Sequence, residues 1–330
     1  MRNYCFSVVI FVTILTLSYA KRPFRDRPPL VALTKTGISM FDSGTLKEHV
    51  LYTKSHRKSS LGSFDIHYEK RMVLWTENVF LDSGLYSHEI RSAIISNGTF
   101  SEIKTIHSGG WATGIAVDWI NNKCYFSSFF TSDMFVINLD GTEKKLFARV
   151  ENKFRDDHPF QIDPINRWIY FVADNQGLAG EDIFERVHLD NDRENRQTLD
   201  ADTCQRSQYE YCTLTFAVDH NTGRVYWMDF YSSVIFSMNA NRKIRRKHRF
   251  SRYELTRQNW YSNRMYYTID KWIEIAYKGN VYCTTRVREK KKNKIFRLNT
   301  KNNKIISLPL GVRVKHFRIF HSSSQPNNKM

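Results

Sequence analysis

The sequence predicts an all-β chain of the propeller type. Three observations carry that prediction. Short β-rich runs such as "KLFARV", "TLTFAVD" and "SVIFSMN" are bounded by Asn, Asp, Gly or Ser. No segment beyond Ala20 shows a long helical stripe. One hairpin pattern recurs five times along the chain, and self-similarity at a fixed period is the mark of a repeat architecture.

The chain opens with a leader. Arg2 gives a charged start, residues 5–17 are largely apolar, and Ser18, Tyr19 and Ala20 supply a small-residue cleavage site. Residues 1–20 are therefore expected to be a secretory signal peptide, too short in its apolar core for a spanning helix. Residues 21–28 form a basic linker, 29–326 the propeller and 327–330 a tail. No later stretch is apolar enough to cross a bilayer. The expected product is a secreted, extracellular monomer with no membrane span.

The five hairpins define the propeller region. They are residues 63–77 (SFDIHYEKRMVLWTE), 114–128 (GIAVDWINNKCYFSS), 159–173 (PFQIDPINRWIYFVA), 215–229 (TFAVDHNTGRVYWMD) and 272–285 (WIEIAYKGNVYCTT). Asp118, Asp163 and Asp219 each precede a Tyr by seven positions: Tyr125, Tyr170 and Tyr226. Asp65 joins this set through a slightly longer turn, nine residues before Leu74. A repeated Asp reads as a structural device in each unit rather than as one active site. Third and fourth strands follow, as in "DMFVINLDGTEKKLFARV" and "SVIFSMNANRKIRRKHRF", with "LDG" and "NANR" as turns. A four-stranded unit cannot bury both faces alone, so neighbouring units must stack.

These residues carry a family resemblance. "GIAVDWINNKCYF" and "AVDHNTGRVYWMD" resemble the YWTD repeats of the low-density lipoprotein receptor family. "PLVALTKTGISMFD" and "FRIFHSSSQP" resemble the opening and closing strands of that family's propeller. The resemblance implies a six-bladed β-propeller of four-stranded antiparallel blades, closed by strands from both termini. The tetrad itself is best kept as Tyr226-Trp227-Met228-Asp229 and Leu74-Trp75-Thr76-Glu77. Its Asp is lost in three repeats, which removes polar ties between strands. The family's cysteine-dense neighbours and membrane anchor are absent, which implies a single propeller secreted alone. Asn166 stands where the family's repeat carries His, so acid-triggered ligand release is not expected.

Four cysteines remain after the leader. Cys204 and Cys212 bracket a short loop and are expected to pair in an oxidising compartment. Cys124 and Cys283 flank the motif tyrosines of repeats two and five, which lie opposite each other in a six-bladed ring. Both are expected to be free and buried. Asn97, in "NGT", is the sole N-glycosylation acceptor and sits in a turn-like setting.

Catalytic motifs are lacking: there is no nucleophile elbow, zinc-protease motif or CxxC pair. "LDNDREN" lacks the glycine and the closing acid of a calcium loop, and "RDDHPF" reads as a solvated turn. No metal, cofactor or catalytic residue is expected. The charge is distinctive, with 50 Lys and Arg against 33 Asp and Glu for a net +17. Such a surplus favours acidic partners. In a secreted protein these are heparan sulfate or another polyanion rather than nucleic acid. The candidate cations are Arg245, Arg246, Lys247 and Arg249 on a predicted outermost strand. Lys290, Lys291, Lys292 and Lys294 belong to a predicted loop in the next blade. The alternative role of such cations is edge protection. The resemblance adds a top face that binds proteins, with Phe129, Phe130, Phe230 and Tyr231 as candidate anchors. The expected function is non-enzymatic recognition of an extracellular protein. The alternatives are a metal-dependent hydrolase or lactonase on the same scaffold, and a matrix component held by charge.

Overall fold

A computed structural model of the chain describes residues 28–42, 45–128, 131, 133–150, 160–175, 181–190, 196–200, 214–229, 234–239, 246–249, 271–286, 293–302, 304–308 and 314–326. Twenty-four strands run through the described residues. Three come first: β1 (Leu30–Thr34), β2 (Gly37–Phe41) and β3 (Glu48–Thr53). Blade one follows as β4 (Ser60–His67), β5 (Met72–Phe80), β6 (Tyr86–Ser96) and β7 (Thr99–Ser108). Blade two is β8 (Ala112–Asp118), β9 (Lys123–Ser128), β10 (Asp133–Asn138) and β11 (Lys145–Arg149). Blade three is β12 (Gln161–Asp163), β13 (Trp168–Asn175), β14 (Glu181–His188) and β15 (Gln197–Asp200). Blade four is β16 (Leu214–Asp219), β17 (Arg224–Asp229), β18 (Val234–Asn239) and β19 (Arg246–Arg249). Blade five is β20 (Lys271–Tyr277), β21 (Asn280–Arg286), β22 (Asn293–Asn299) and β23 (Lys304–Leu308), and β24 (Val314–Ile319) completes the set.

Every blade is a four-stranded antiparallel meander, and the sixth has the order β24-β1-β2-β3. Its innermost strand therefore comes from the far end of the chain, and the ring closes with strands from both termini as expected. The first strands of successive blades adjoin one another around the axis. They run from an upper end to a lower end. The lower end carries the turns between first and second strands. Among the described residues no helix is long and apolar enough to cross a membrane.

The recurring aromatic pair explains how the blades stack. Side chains alternate across a strand, so adjacent residues face opposite neighbours. Tyr125, Tyr170, Tyr226 and Tyr282 each pack into the cluster shared with the following blade. Their successors Phe126, Phe171, Trp227 and Cys283 pack into the cluster shared with the preceding blade. Leu74 and Trp75 do the same in blade one. Among the described residues the apolar core is thus six clusters, one at each junction. Each removes apolar surface from water that an isolated blade would expose. Cys124 and Cys283 both face the preceding blade, in blades two and five, and both are free and buried as expected.

The tetrad's last two positions also have defined roles. Thr76 Oγ1 accepts from the backbone N of Ser63 at 2.9 Å, and Ser127 Oγ accepts from that of Gly114 at 3.1 Å. Glu77, standing where the tetrad has Asp, is 1% exposed. Its carboxylate accepts from Tyr52 Oη at 2.9 Å and Trp75 Nε1 at 3.0 Å, and pairs with Arg91 at 3.4 Å. Tyr52 lies in β3, so this buried knot fastens blade one to blade six. Burial, reinforced by Glu77, pushes the Tyr52 hydroxyl up to about 12.

Candidate binding faces and the axial channel

The strand aspartates divide into two roles. Asp118 Oδ1 accepts from the backbone N of Ile120 and Asn121, both at 3.0 Å, and Oδ2 accepts from Asn121 Nδ2 at 2.8 Å. Asp163 repeats this with Ile165 and Asn166, including Asn166 Nδ2 at 2.7 Å. Asp219 accepts from Asn221 N at 3.1 Å and from Gly279 N, in the turn of blade five, at 2.9 Å. These three organise the lower turns.

Asp65 does not belong with them, which corrects the sequence alignment. It pairs directly with Leu74, whereas the last pair before the turn is His67 with Met72. The turn is four residues long, as it is between Asp118 and Lys123. His67 takes the turn position, its Nδ1 accepting from Lys70 N at 3.3 Å. Asp65 lies two residues further up and reaches sideways. Its Oδ2 accepts from Val117 N in β8 at 2.8 Å, and its Oδ1 accepts from Arg318 Nε in β24 at 3.1 Å. Gln161 holds the matching place in blade three. Its Oε1 accepts from Val218 N at 3.0 Å, and its Nε2 donates to Phe216 O at 3.2 Å. Both side chains clip innermost strands together around the axis.

A cavity of about 60 Å³ lies at the lower end of the channel, lined by Asp65, Trp119, Gln161, His220, Arg318 and Gln325 among others. The rings of Trp119 and His220 meet edge to face at 4.7 Å. Burial lowers the His220 pKa against the pull of Asp163, Asp219 and Asp65, so the imidazole is neutral near pH 7. The segment after β24 crosses this mouth as a single 3₁₀ turn, Ser322–Ser324. Asn221 Nδ2 donates to Ser323 O at 2.8 Å, and the Tyr277 and Ser323 hydroxyls bond each other. Gln325 Nε2 donates to Ile66 O at 2.6 Å, and its Oε1 accepts from Tyr68 N at 2.7 Å. The tail thereby braces blades one, four and five. Among the described residues no three His, Cys, Asp or Glu side chains converge as metal ligands.

Several sequence-predicted residues lie outside the described residues: Phe129, Phe130, Phe230, Tyr231, Arg245, Lys290, Lys291 and Lys292, and the expected Cys204–Cys212 pair. Arg246, Lys247 and Arg249 fall on β19, the outermost strand of blade four, as expected. Lys294, expected in the loop, is instead the second residue of β22, paired with Thr285 at the upper end, because the strand ladder begins one residue before it. Arg246 begins β19 at the lower end. The two basic runs therefore enter the structure at opposite ends of the propeller. Asn97 is exposed at the tip of the β6–β7 hairpin, with φ 50° followed by Gly98 at φ 78°. That pair of positive φ values suits an Asn-Gly hairpin turn.

Sequence reasoning missed one upper-face feature. The β5–β6 hairpin, residues 78–88 (NVFLDSGLYSH), carries Leu81, Leu85 and Tyr86 exposed by 40%, 68% and 51%. The signal was available: β-rich residues continue past Glu77 and resume after a "DSG" turn, so the strands outrun the motif.

Comparison with known proteins locates the fold. No protein-family model matches the chain. A chain of a crystallised nidogen–laminin complex superposes with a TM-score of 0.63 at 14% identity, covering 88% of this chain and 97% of that one. A structural-genomics protein of unknown function from Bacteroides thetaiotaomicron VPI-5482 superposes with a TM-score of 0.51 at 12% identity, covering 86% and 76%. The chain is a six-bladed β-propeller that shares its architecture with both.

Proposed function

We propose that the chain is a secreted, non-enzymatic binding propeller that recognises an extracellular protein through its upper face. The observation that carries this reading is the match, over 88% of the chain, to a propeller from a nidogen–laminin complex. A second consideration supports it. Three polar side chains at the axis are engaged in holding blades together: Asp65 with Arg318, and Gln161 with the backbone of β16. The lower mouth is braced by the tail. This reading assigns the partner to the upper face. The test is retention of proteins from extracellular fluid on the immobilised chain at low and moderate salt. A specific partner should survive moderate salt, where purely charge-driven ones are screened away. No retained protein, together with turnover of an ester or lactone panel, would replace this reading with the hydrolase alternative.

The net charge of +17 favours anionic glycan as an additional partner. The basic loop is its expected seat. Neutralising Lys290, Lys291 and Lys292 to Gln should move elution from a heparin column to distinctly lower salt. Unchanged elution would remove that loop from the site.

A further inference from the structure

Blade one stands taller than its neighbours on the upper side. β5 has nine residues and β6 eleven, whereas β9 and β10 in blade two have six each and β1 and β2 in blade six have five; in blade three the β13–β14 ladder also passes the matching position, by two residues. In blade two the second strand ends at Ser128, the position that matches Glu77. In blade one the ladder continues through Asn78↔His88, Val79↔Ser87 and Phe80↔Tyr86. Three further residues extend the prong by about 10 Å.

The prong is held rigidly. Leu81 N donates to Leu85 O and Gly84 N to Leu81 O, both at 2.9 Å, which closes the tip. At its last ladder pair, just below the tip, Phe80 packs between the His56 ring at 5.0 Å and Tyr86 at 5.3 Å, with Lys58 Nζ 4.3 Å above the ring. Phe80 N donates to Ser59 Oγ at 3.1 Å, and Lys54 Nζ staples the same connection through Arg57 O and Ser59 O. On the opposite flank His88 bonds Asn78 Oδ1 at 2.6 Å and stacks on Trp111 at 5.0 Å. A preorganised apolar tip loses little freedom when it is gripped.

We infer that this prong, with the cations of Arg57 and Lys58 beside it, is the anchor that inserts into an apolar recess bordered by carboxylates on a folded partner protein. The inference rests on the upper-face reading above and names its residues. Three of the large apolar side chains exposed among the described residues sit together in this one tip. Contiguous exposed apolar surface on a rigid support is the usual sign of an interface. Arg57 and Lys58 are exposed, and neither pairs with a carboxylate among the described residues. Two exposed cations beside an apolar knob, neither neutralised by a carboxylate among the described residues, complement an acid-rimmed pocket; Lys58 keeps its contact with the Phe80 ring. A membrane is the poorer fit: Asp82 at the apex would enter hydrocarbon with no partner, whereas a protein recess can meet it with a hydrogen-bond donor at its floor. A second copy is the poorer fit too, since each copy carries a large positive charge, +17 over the full sequence.

The probe is a random displayed peptide library selected on the intact chain and read against variants. Selected peptides should combine apolar or aromatic residues with Asp or Glu. Leu85→Ser and Tyr86→Ser should each weaken them by about tenfold or more, as truncated anchors do. Arg57→Gln with Lys58→Gln should weaken them and flatten the salt dependence. Leu146→Ser, an exposed change on β11 in blade two, should leave them unaffected. All five substitutions, made in four variants, are at the surface, and unchanged melting temperatures would confirm intact folds. Peptides that bind the tip variants as well as the parent overturn the prong while leaving the upper-face reading intact. Tyr86-dependent dimerisation, or tip-dependent sedimentation with phosphatidylserine vesicles, would overturn it in favour of those occupants. Failure to retain any protein from extracellular fluid would sink the broader reading itself.

Discussion

Asp65 and Arg318 sit 253 positions apart in the sequence and 3.1 Å apart in space, with side chains about 15% exposed. Asp65 also accepts from Val117 N, so one carboxylate touches three blades. Replacing it with Ala leaves a largely buried guanidinium without its counter-charge. Breaking such a pair from one side costs about 3 kcal/mol. Asp65→Ala should lower the denaturation midpoint accordingly, whereas Asp65→Leu combined with Arg318→Met should recover much of the loss. A double-mutant cycle measures the coupling, and strictly additive effects would show that the pair is not a working contact. The motif aromatics act differently. Tyr226 and Trp227 are 2% and 1% exposed and divide between two junctions, so they are scaffold.

At the scale of the element, what could be read from the sequence followed the strength of the local pattern. The second strand of each blade alternates between two apolar junctions, and that alternation survives Phe for Trp or Cys for Trp. The hairpins were therefore visible despite a degraded tetrad. Asp65 was misassigned because counting back from Leu74 finds an Asp close to the expected offset; only the register reveals that His67 occupies the turn. The prong was missed because it departs from the repeat, and a search by self-similarity discards what does not recur. The cysteine free state followed from blade arithmetic alone. The basic runs could be assigned to strands, but whether charges on β19 and β22 cooperate depends on ring geometry. Close approaches are equally hidden in sequence. Gly37 opens β2 where a Cβ would fall 1.8 Å from the Tyr52 carbonyl oxygen in β3. Thr34 Oγ1 accepts from Gly37 N at 3.2 Å and donates to its carbonyl at 3.1 Å, so the backbone has little room to yield. Gly37→Ala should cost about 3 kcal/mol, at the severe end of overpacking, measured by urea denaturation. A loss below a few tenths would mean that the β2–β3 pair can part freely at this point.

The whole molecule is a ring, and a ring is only as stable as its closure. Each blade draws its core from two neighbours, so an open ring exposes two apolar faces at once. Closure here depends on β24, which pairs with β1 across the full length of that strand. Its Val314, Phe317 and Ile319 fill the junction with Tyr282 and Ile295 of blade five. On the other side Lys315 Nζ donates to Leu61 O at 2.9 Å and Arg318 meets Asp65. A chain ending before Val314 would lose all of this and leave an unpaired edge on β1. It should fail to unfold cooperatively and should aggregate through that edge. A chain ending after Phe320 keeps the strand and loses only the brace of Ser323 and Gln325 across the lower mouth. It should melt several degrees lower yet remain a single cooperative transition. Calorimetry on the two truncations separates the roles of strand and tail. A peptide spanning residues 312–326, added to the shorter chain, should restore cooperativity by re-forming the sixth blade. Cooperative melting of the shorter chain at the parent temperature, without the peptide, would show that the ring is held shut by contacts other than β24.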